Sequence, residues 1–127
     1  MGLDMYAFST PLANVKDELS VVNEDSLDEI KYWRKNRFIH NYMEKLYYQK
    51  GGEEEFDCQY VRLTTDELLT LKEVIESGDI AKYDSEGFFF GHGGYDEYMK
   101  EQDIQFTVDA IDTIGWGNAI YSYAWYW

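Results

Sequence analysis

The sequence predicts an α+β fold: a small, mainly antiparallel sheet packed against about three helices, in a single domain. Three observations lead there. A chain of 127 residues, 45% of them hydrophobic and 18% aromatic, suffices for one core and is too ring-rich for a disordered segment. Runs with the period of a helix stand beside runs that alternate like strands, with no repeat and no linker between them. The single proline, Pro11, forces few breaks.

Taken in order, Leu3–Phe8 reads as a short strand ended by Ser9-Thr10-Pro11, and residues 12–25 as a polar connecting loop. Ser26-Leu27-Asp28-Glu29 has the S-x-x-E form of a capping box, in which Ser and Glu each satisfy an amide left open at a helix start. A long helix is therefore expected from there to about Gln49, with Gly51-Gly52 stopping it. Leu27, Ile30, Phe38, Tyr42 and Leu46 would share its buried face, with Ile39 at the edge. "EEEFD" (residues 53–57) is a solvated turn, and Cys58–Thr64 alternates like a strand. Thr64-Thr65-Asp66-Glu67 is a second capping box, opening a helix over Asp66–Ser77 with Leu68, Leu71 and Ile75 inward and Gly78 as its C-terminal cap.

Lys82–Phe90 reads as a loop or short strand, and Asp96 to about Ile114 as the third helix. Phe88-Phe89-Phe90, set between Gly87 and Gly91, reads as a segment buried on both faces that clamps this acidic helix. "AIYSYAWYW" closes the chain as a strand with Tyr121, Tyr123, Trp125 and Trp127 on one aromatic face.

The charge balance is strongly acidic, 25 Asp+Glu against 11 Lys+Arg for a formal −14. Direct binding to nucleic acid or to an anionic membrane needs a net basic footprint, so both are disfavoured, whereas binding to a basic partner is permitted. The charge is also uneven. Residues 31–50 carry six of the eleven basic residues, and residues 84–112 carry eight acids against Lys100 alone. The single cysteine, Cys58, rules out an internal disulfide framework and a four-cysteine zinc site. The N-terminus has neither a signal-peptide pattern nor a myristoylation pattern, and no apolar run is long enough to span a membrane, so a cytoplasmic location is expected.

Two surfaces stand out as candidate sites. On the first predicted helix, Trp33, Arg37, His40 and Glu44 fall at helical spacing, a ring, a fork donor and a titratable group in line. They read either as a ligand or partner edge, with Arg34 and Asp96 joining it, or as a solvated face with Trp33 packed under the N-terminal loop. Arg34, at the edge of the apolar face, is expected to be buried and paired with an acid of the third helix. On the third helix, Glu97, Glu101 and Asp112 share a narrow sector, with Asp103 and Asp109 elsewhere on the barrel. That row can imitate spaced phosphates, or it can simply be solvated.

No metal and no cofactor are expected. His40, Cys58, His92, Asp96 and Asp4 are the available donors, and no two form a metal-ligand motif. "GFFFGHGG" matches no phosphate-binding fingerprint, and the Asp96-Glu97 helix start that follows would repel an anion. Cys58, in a strand-like run, reads as a small buried hydrophobe.

Several motifs occur together and in order: "MGLDMY", "YWRK" followed by "IH", a Cys-x-Tyr-Val strand before a capped helix, "GFFFG" before "YDEY", and a Tyr/Trp-rich end. In this the chain resembles a family of small uncharacterised proteins carried by bacteriophages and prophages. The patterned positions that the resemblance carries over are Trp33, Arg34, Lys35, Ile39, His40, Gly87, Phe88, Phe89, Phe90, Gly91, Tyr95, Asp96 and Glu97. Family members often have Asn at the position of Arg37, an aromatic at Met43, and a longer insertion before the triple-Phe segment. The resemblance implies an accessory phage-type gene product acting in the host cytoplasm, and it supplies no catalytic residues.

Three functions are consistent with these residues. The first is a protein-binding inhibitor of a host nucleic-acid-handling or defence complex, meeting a basic surface by acidic mimicry of nucleic acid. The second is a self-associating accessory protein that dimerises through an aromatic-strand edge. The third is a small enzyme or ligand binder centred on Trp33, Arg34, His40 and Asp96.

Overall fold

The computed structural model describes residues 2–84 and 94–127. Strands and helices follow in the order β1 (Leu3–Pro11), β2 (Val15–Asp17), β3 (Ser20–Val21), β4 (Asp28–Arg34), α1 (Arg37–Gln49), β5 (Tyr60–Leu63), α2 (Thr65–Ser77), α3 (Glu97–Gly115) and β6 (Asn118–Tyr126). Four strands form one sheet in the order β4-β1-β6-β5, every pairing antiparallel, and β2-β3 form a separate two-stranded ribbon. The fold is α+β, as the patterning predicts. The triple-Phe segment lies outside the described residues.

The first predicted helix is two elements. Residues 28–34 form strand β4, and the helix begins only at Arg37. Ser26 opens no capping box; it ends a one-turn 3-10 helix over Glu24–Ser26 whose N-cap is Asn23. Residues Ile30, Tyr32 and Trp33 suit a pleated, half-buried surface, and the strand they belong to pairs with β1 in a ladder running from Asp4↔Arg34 to Ser9↔Asp28. The true start signal is Asn36, whose side chain accepts from the Ile39 amide. Lys35, just before it, sits in the left-handed region at φ 57°, which turns the chain from strand to helix. The buried face of α1 therefore starts with Phe38 and Ile39 and continues through Met43 and Leu46; Leu27 and Ile30 lie outside it.

The second helix starts where its capping box puts it. Thr64 N–H donates to Glu67 Oε1 at 2.9 Å and Glu67 N–H to Thr64 Oγ1 at 3.2 Å. Gly78, at φ 86°, ends the helix in the left-handed conformation glycine adopts without strain. The third helix is capped by Asp96, which accepts from the Met99 amide at 2.8 Å.

The two faces of the sheet differ. Leu3, Met5 and Ala7 of β1, Val61 and Leu63 of β5, and Ile120 and Ala124 of β6 join Phe38, Ile39, Leu68, Leu71, Ile75, Phe106 and Ala110 of the helices in one core. The other face is aromatic. Tyr32, Tyr6, Tyr123 and Tyr60 are successive cross-strand partners, so one row of four tyrosines crosses all four strands. Tyr121 starts the next row and is covered by the β2-β3 ribbon, its hydroxyl donating to the carbonyls of Asp17 and Ser20. Strand β6 thus has its aromatic face, but it lies between β1 and β5 with both ladders in use. A dimer edge at β6 is excluded for that reason.

Candidate functional site

A cleft of about 610 Å³ opens along the outer edge of β4. Residues 31–37, from the end of β4 into the start of α1, form one wall; Tyr95, Asp96, Tyr98, Met99, Gln102 and Asp103 form the other. The two most specific motif segments, "YWRK" and "YDEY", thus face each other across it.

The floor is a buried polar hub. Asp103, 1% exposed, accepts from Trp33 Nε1 at 2.8 Å, Asn36 Nδ2 at 3.1 Å and Tyr95 Oη at 2.5 Å. Burial pushes its carboxyl above the ordinary range, and the three donors pull it back. Burial and the neighbouring Asp103 raise the Tyr95 phenol strongly, so Tyr95 stays a donor. Asn36 serves two elements at once, capping α1 with its oxygen and holding Asp103 with its nitrogen. Trp33 faces the core, edge-on to Phe106 at 4.8 Å between centroids.

The rim is cationic. Lys31 lies 3.4 Å from Gln102 Oε1 and sits over the Trp33 ring at 5.8 Å. Arg34 is exposed and lies over the Trp127 ring at 5.4 Å. This overturns the expectation of a buried Arg34 paired with an acid of the third helix. The buried arginine is Arg37, and its Nε donates to Asp84, just after the 3-10 turn that precedes the undescribed segment. That bond holds the Asp84 carboxyl below its usual range. Among the described residues, Lys31, Arg34 and Lys35 form no ion pair.

Of the predicted edge, Trp33, Arg34, Arg37 and Asp96 do converge on this cleft, but His40 does not. The helical stripe that would align them is broken, because Trp33 and Arg34 belong to a strand. His40 points the other way, 1% exposed, with Nε2 and Tyr126 Oη 2.6 Å apart and Phe56 against its ring. Burial lowers its pKa to about 4, so it is neutral at physiological pH.

Glu97, Glu101 and Asp112 are all exposed on the outward side of α3. Asp103, further along from Glu97, is the exception among the acids of that helix and turns inward. Tyr98 at 72% exposure and Trp116 at 81% project from the same helix and its C-cap. Cys58 is not a buried hydrophobe: it is exposed, at φ 57°, with Sγ 3.6 Å from Asp57 Oδ1. Among the described residues, no group of three or more His, Cys, Asp or Glu is placed to hold a metal ion.

The sequence reading missed Lys31, Asn36, Tyr95 and Asp103 as a unit, and the tyrosine row as a surface. The N-cap signal at Asn36 was the available clue to the first. The second depends on register. Tyr32 donates to Asp4 Oδ1 at 2.6 Å, which pushes its phenol up to about 12, and burial does the same for Tyr60. No family model, curated protein or solved structure matches the chain.

Proposed function

We propose that this chain is a phage-type accessory protein that acts by binding a protein, seating the acidic outer face of α3 on a basic surface of a host nucleic-acid-handling or defence complex. The observation that carries the reading is the composition of that face. Glu97, Glu101 and Asp112 stand exposed and free of ion pairs among the described residues, beside the exposed rings of Tyr98 and Trp116. Carboxylates next to large projecting rings combine electrostatic steering with the aromatic anchors that dominate protein interfaces. Glu97 and Glu101 are one turn apart, roughly 6 Å along the axis, which gives the face the repeating negative charge a nucleic-acid mimic needs.

Affinity capture from a bacterial host lysate at graded salt tests this. The expected result is a defined host partner whose yield falls steeply with salt and is lost in Glu97→Lys/Glu101→Lys. Capture indifferent to both would overturn the reading.

A second reading, a ligand binder, is favoured by one observation: Trp33, Arg34, Arg37 and Asp96 line the same cleft. His40 takes no part in it.

A further inference from the structure

The cleft lies on an open sheet edge, and the register shows which backbone groups it offers. Lys35 N–H donates to Leu3 O at 2.9 Å, and Trp33 and Lys31 follow on the same side, opposite Met5 and Ala7. In an antiparallel pair, hydrogen-bonded and non-hydrogen-bonded positions alternate. The N–H and C=O of Tyr32 and Arg34 therefore point away from β1, along the cleft. Among the described residues no backbone group outside the strand bonds to them. Around these open groups stand Lys31, Arg34 and Lys35, three of eleven basic residues in a chain of net charge −14, none of them in an ion pair among the described residues.

From this we infer that the β4 edge is a docking site for an extended acidic segment of a partner protein, which adds as a further strand beside Tyr32 and Arg34 with its carboxylates against Lys31, Arg34 and Lys35. Strand addition takes its affinity from main-chain hydrogen bonds and its selectivity from alternate side chains. At about 3.4 Å per residue, the stretch from Lys31 to Lys35 accommodates roughly four to six residues of such a segment. A second copy of this chain fits poorly. Pairing β4 with β4 about Trp33 would set Lys31 of one copy opposite Lys35 of the other, and like charges across a strand pair destabilise it. Nucleic acid is opposed by the overall charge and by Asp96 at the rim. Lysines on an edge strand also guard against aggregation, and an edge with that role alone binds nothing. The inference concerns the cleft only and stands apart from the acidic face of α3.

The test is fluorescence anisotropy with a short labelled peptide of alternating glutamate and threonine, titrated with the full chain at low salt. A second peptide carries the same sequence with alternate amides N-methylated. A third has lysine in place of glutamate. The first should bind; N-methylation on the docking edge and the lysine exchange should each remove binding. Lys31→Gln/Lys35→Gln should weaken it by about tenfold or more. That double variant removes no ion pair among the described residues, and an unchanged thermal melt shows that it folds. Three results would overturn the inference: no binding of the glutamate peptide, equal binding of the N-methylated peptide (an anion cleft without strand addition), or equal binding by the double variant. Self-association of the chain, lost in the same variant, would assign the edge to a second copy and overturn it as well.

Discussion

The sheet has two edges, and they are finished in opposite ways. At β5 the outward groups of Arg62 are both taken. Its N–H donates to Glu18 O at 2.8 Å, and its C=O accepts from Lys50 Nζ at 2.5 Å. Lys50 is itself held by Glu67 at 2.6 Å and Glu18 at 3.4 Å. At β4 the equivalent groups of Tyr32 and Arg34 face a cleft, and the nearby cations have no carboxylate partners among the described residues. Both edges carry cations, Lys31, Arg34 and Lys35 at β4 and Arg62 with Lys50 at β5. What separates them is whether acids from elsewhere in the chain pair with their cations: Glu18 and Glu67 pair with Lys50 at β5, whereas at β4 Asp103 is turned under the strand and Asp4 is taken by Tyr32 and Trp127. The closed edge is held from outside by charge, and the open edge from beneath by a buried polar hub.

Breaking that hub should have the largest effect. Trp33→Ala removes the ring that packs on Phe106 and donates to Asp103, and a loss of roughly 3–5 kcal/mol in urea unfolding is expected. A loss below about 1 kcal/mol would mean that β4 is not anchored from beneath.

Next comes pH. His40 is lowered from 6.5 to about 4 in the folded chain, so between those values the unfolded chain binds more protons. Stability from this group is therefore complete above about pH 6.5 and is lost as pH falls toward 4, by up to about 3 kcal/mol. The measurement is the difference in this slope between the wild type and His40→Gln. An equal slope in both would show that His40 is not the titrating group.

Asp103→Asn with its oxygen toward Trp33 keeps an acceptor for that donor, while Asn36 and Tyr95, which share Oδ2, both lose theirs, and a cost of about 1–3 kcal/mol is expected. Its near-ultraviolet circular dichroism should report the changed surroundings of Trp33 and Tyr95.

At the closed edge, Lys50→Met frees the carbonyl of Arg62 and leaves Glu18 and Glu67 without their cation. About 1–2 kcal/mol is expected, with faster amide exchange confined to β5. The smallest effect belongs to Lys31→Gln/Lys35→Gln, within about 0.5 kcal/mol, because among the described residues they make no ion pair to lose. A loss there comparable to Lys50→Met would erase the distinction between the edges.

Much of the fold can be read in the sequence wherever a local signal has no competitor. The Thr64–Glu67 capping box with Gly78 fixes α2, Asp96 fixes the start of α3, and the alternation of residues 119–126 fixes β6. The reading fails at residues 26–35. There a capping-box sequence and a helical spacing of apolar residues agree with each other, and both are overruled by pairing with β1, a strand distant in the chain, from Ser9↔Asp28 to Asp4↔Arg34. The candidate site shares this fate. Trp33, Arg34, Arg37 and Asp96 are found by residue type, but they meet because a strand edge and a helix start lie side by side, not because they share a helical stripe. His40, counted with them on that stripe, turns into the core behind Tyr126.

The sequence by itself determined the α+β class, the excess of acid, the caps of two helices and the concentration of cations in residues 31–50, because each depends on composition or on neighbours a few residues apart. The tertiary structure decided the rest: that residues 28–34 are a strand at the end of the sheet order, that four tyrosines from four strands form one row, that Asp103 alone among the acids of α3 turns inward, and that one edge is covered and the other, among the described residues, open. Those outcomes depend on strand register and on which distant carboxylate reaches which cation, and no local pattern in the chain encodes either.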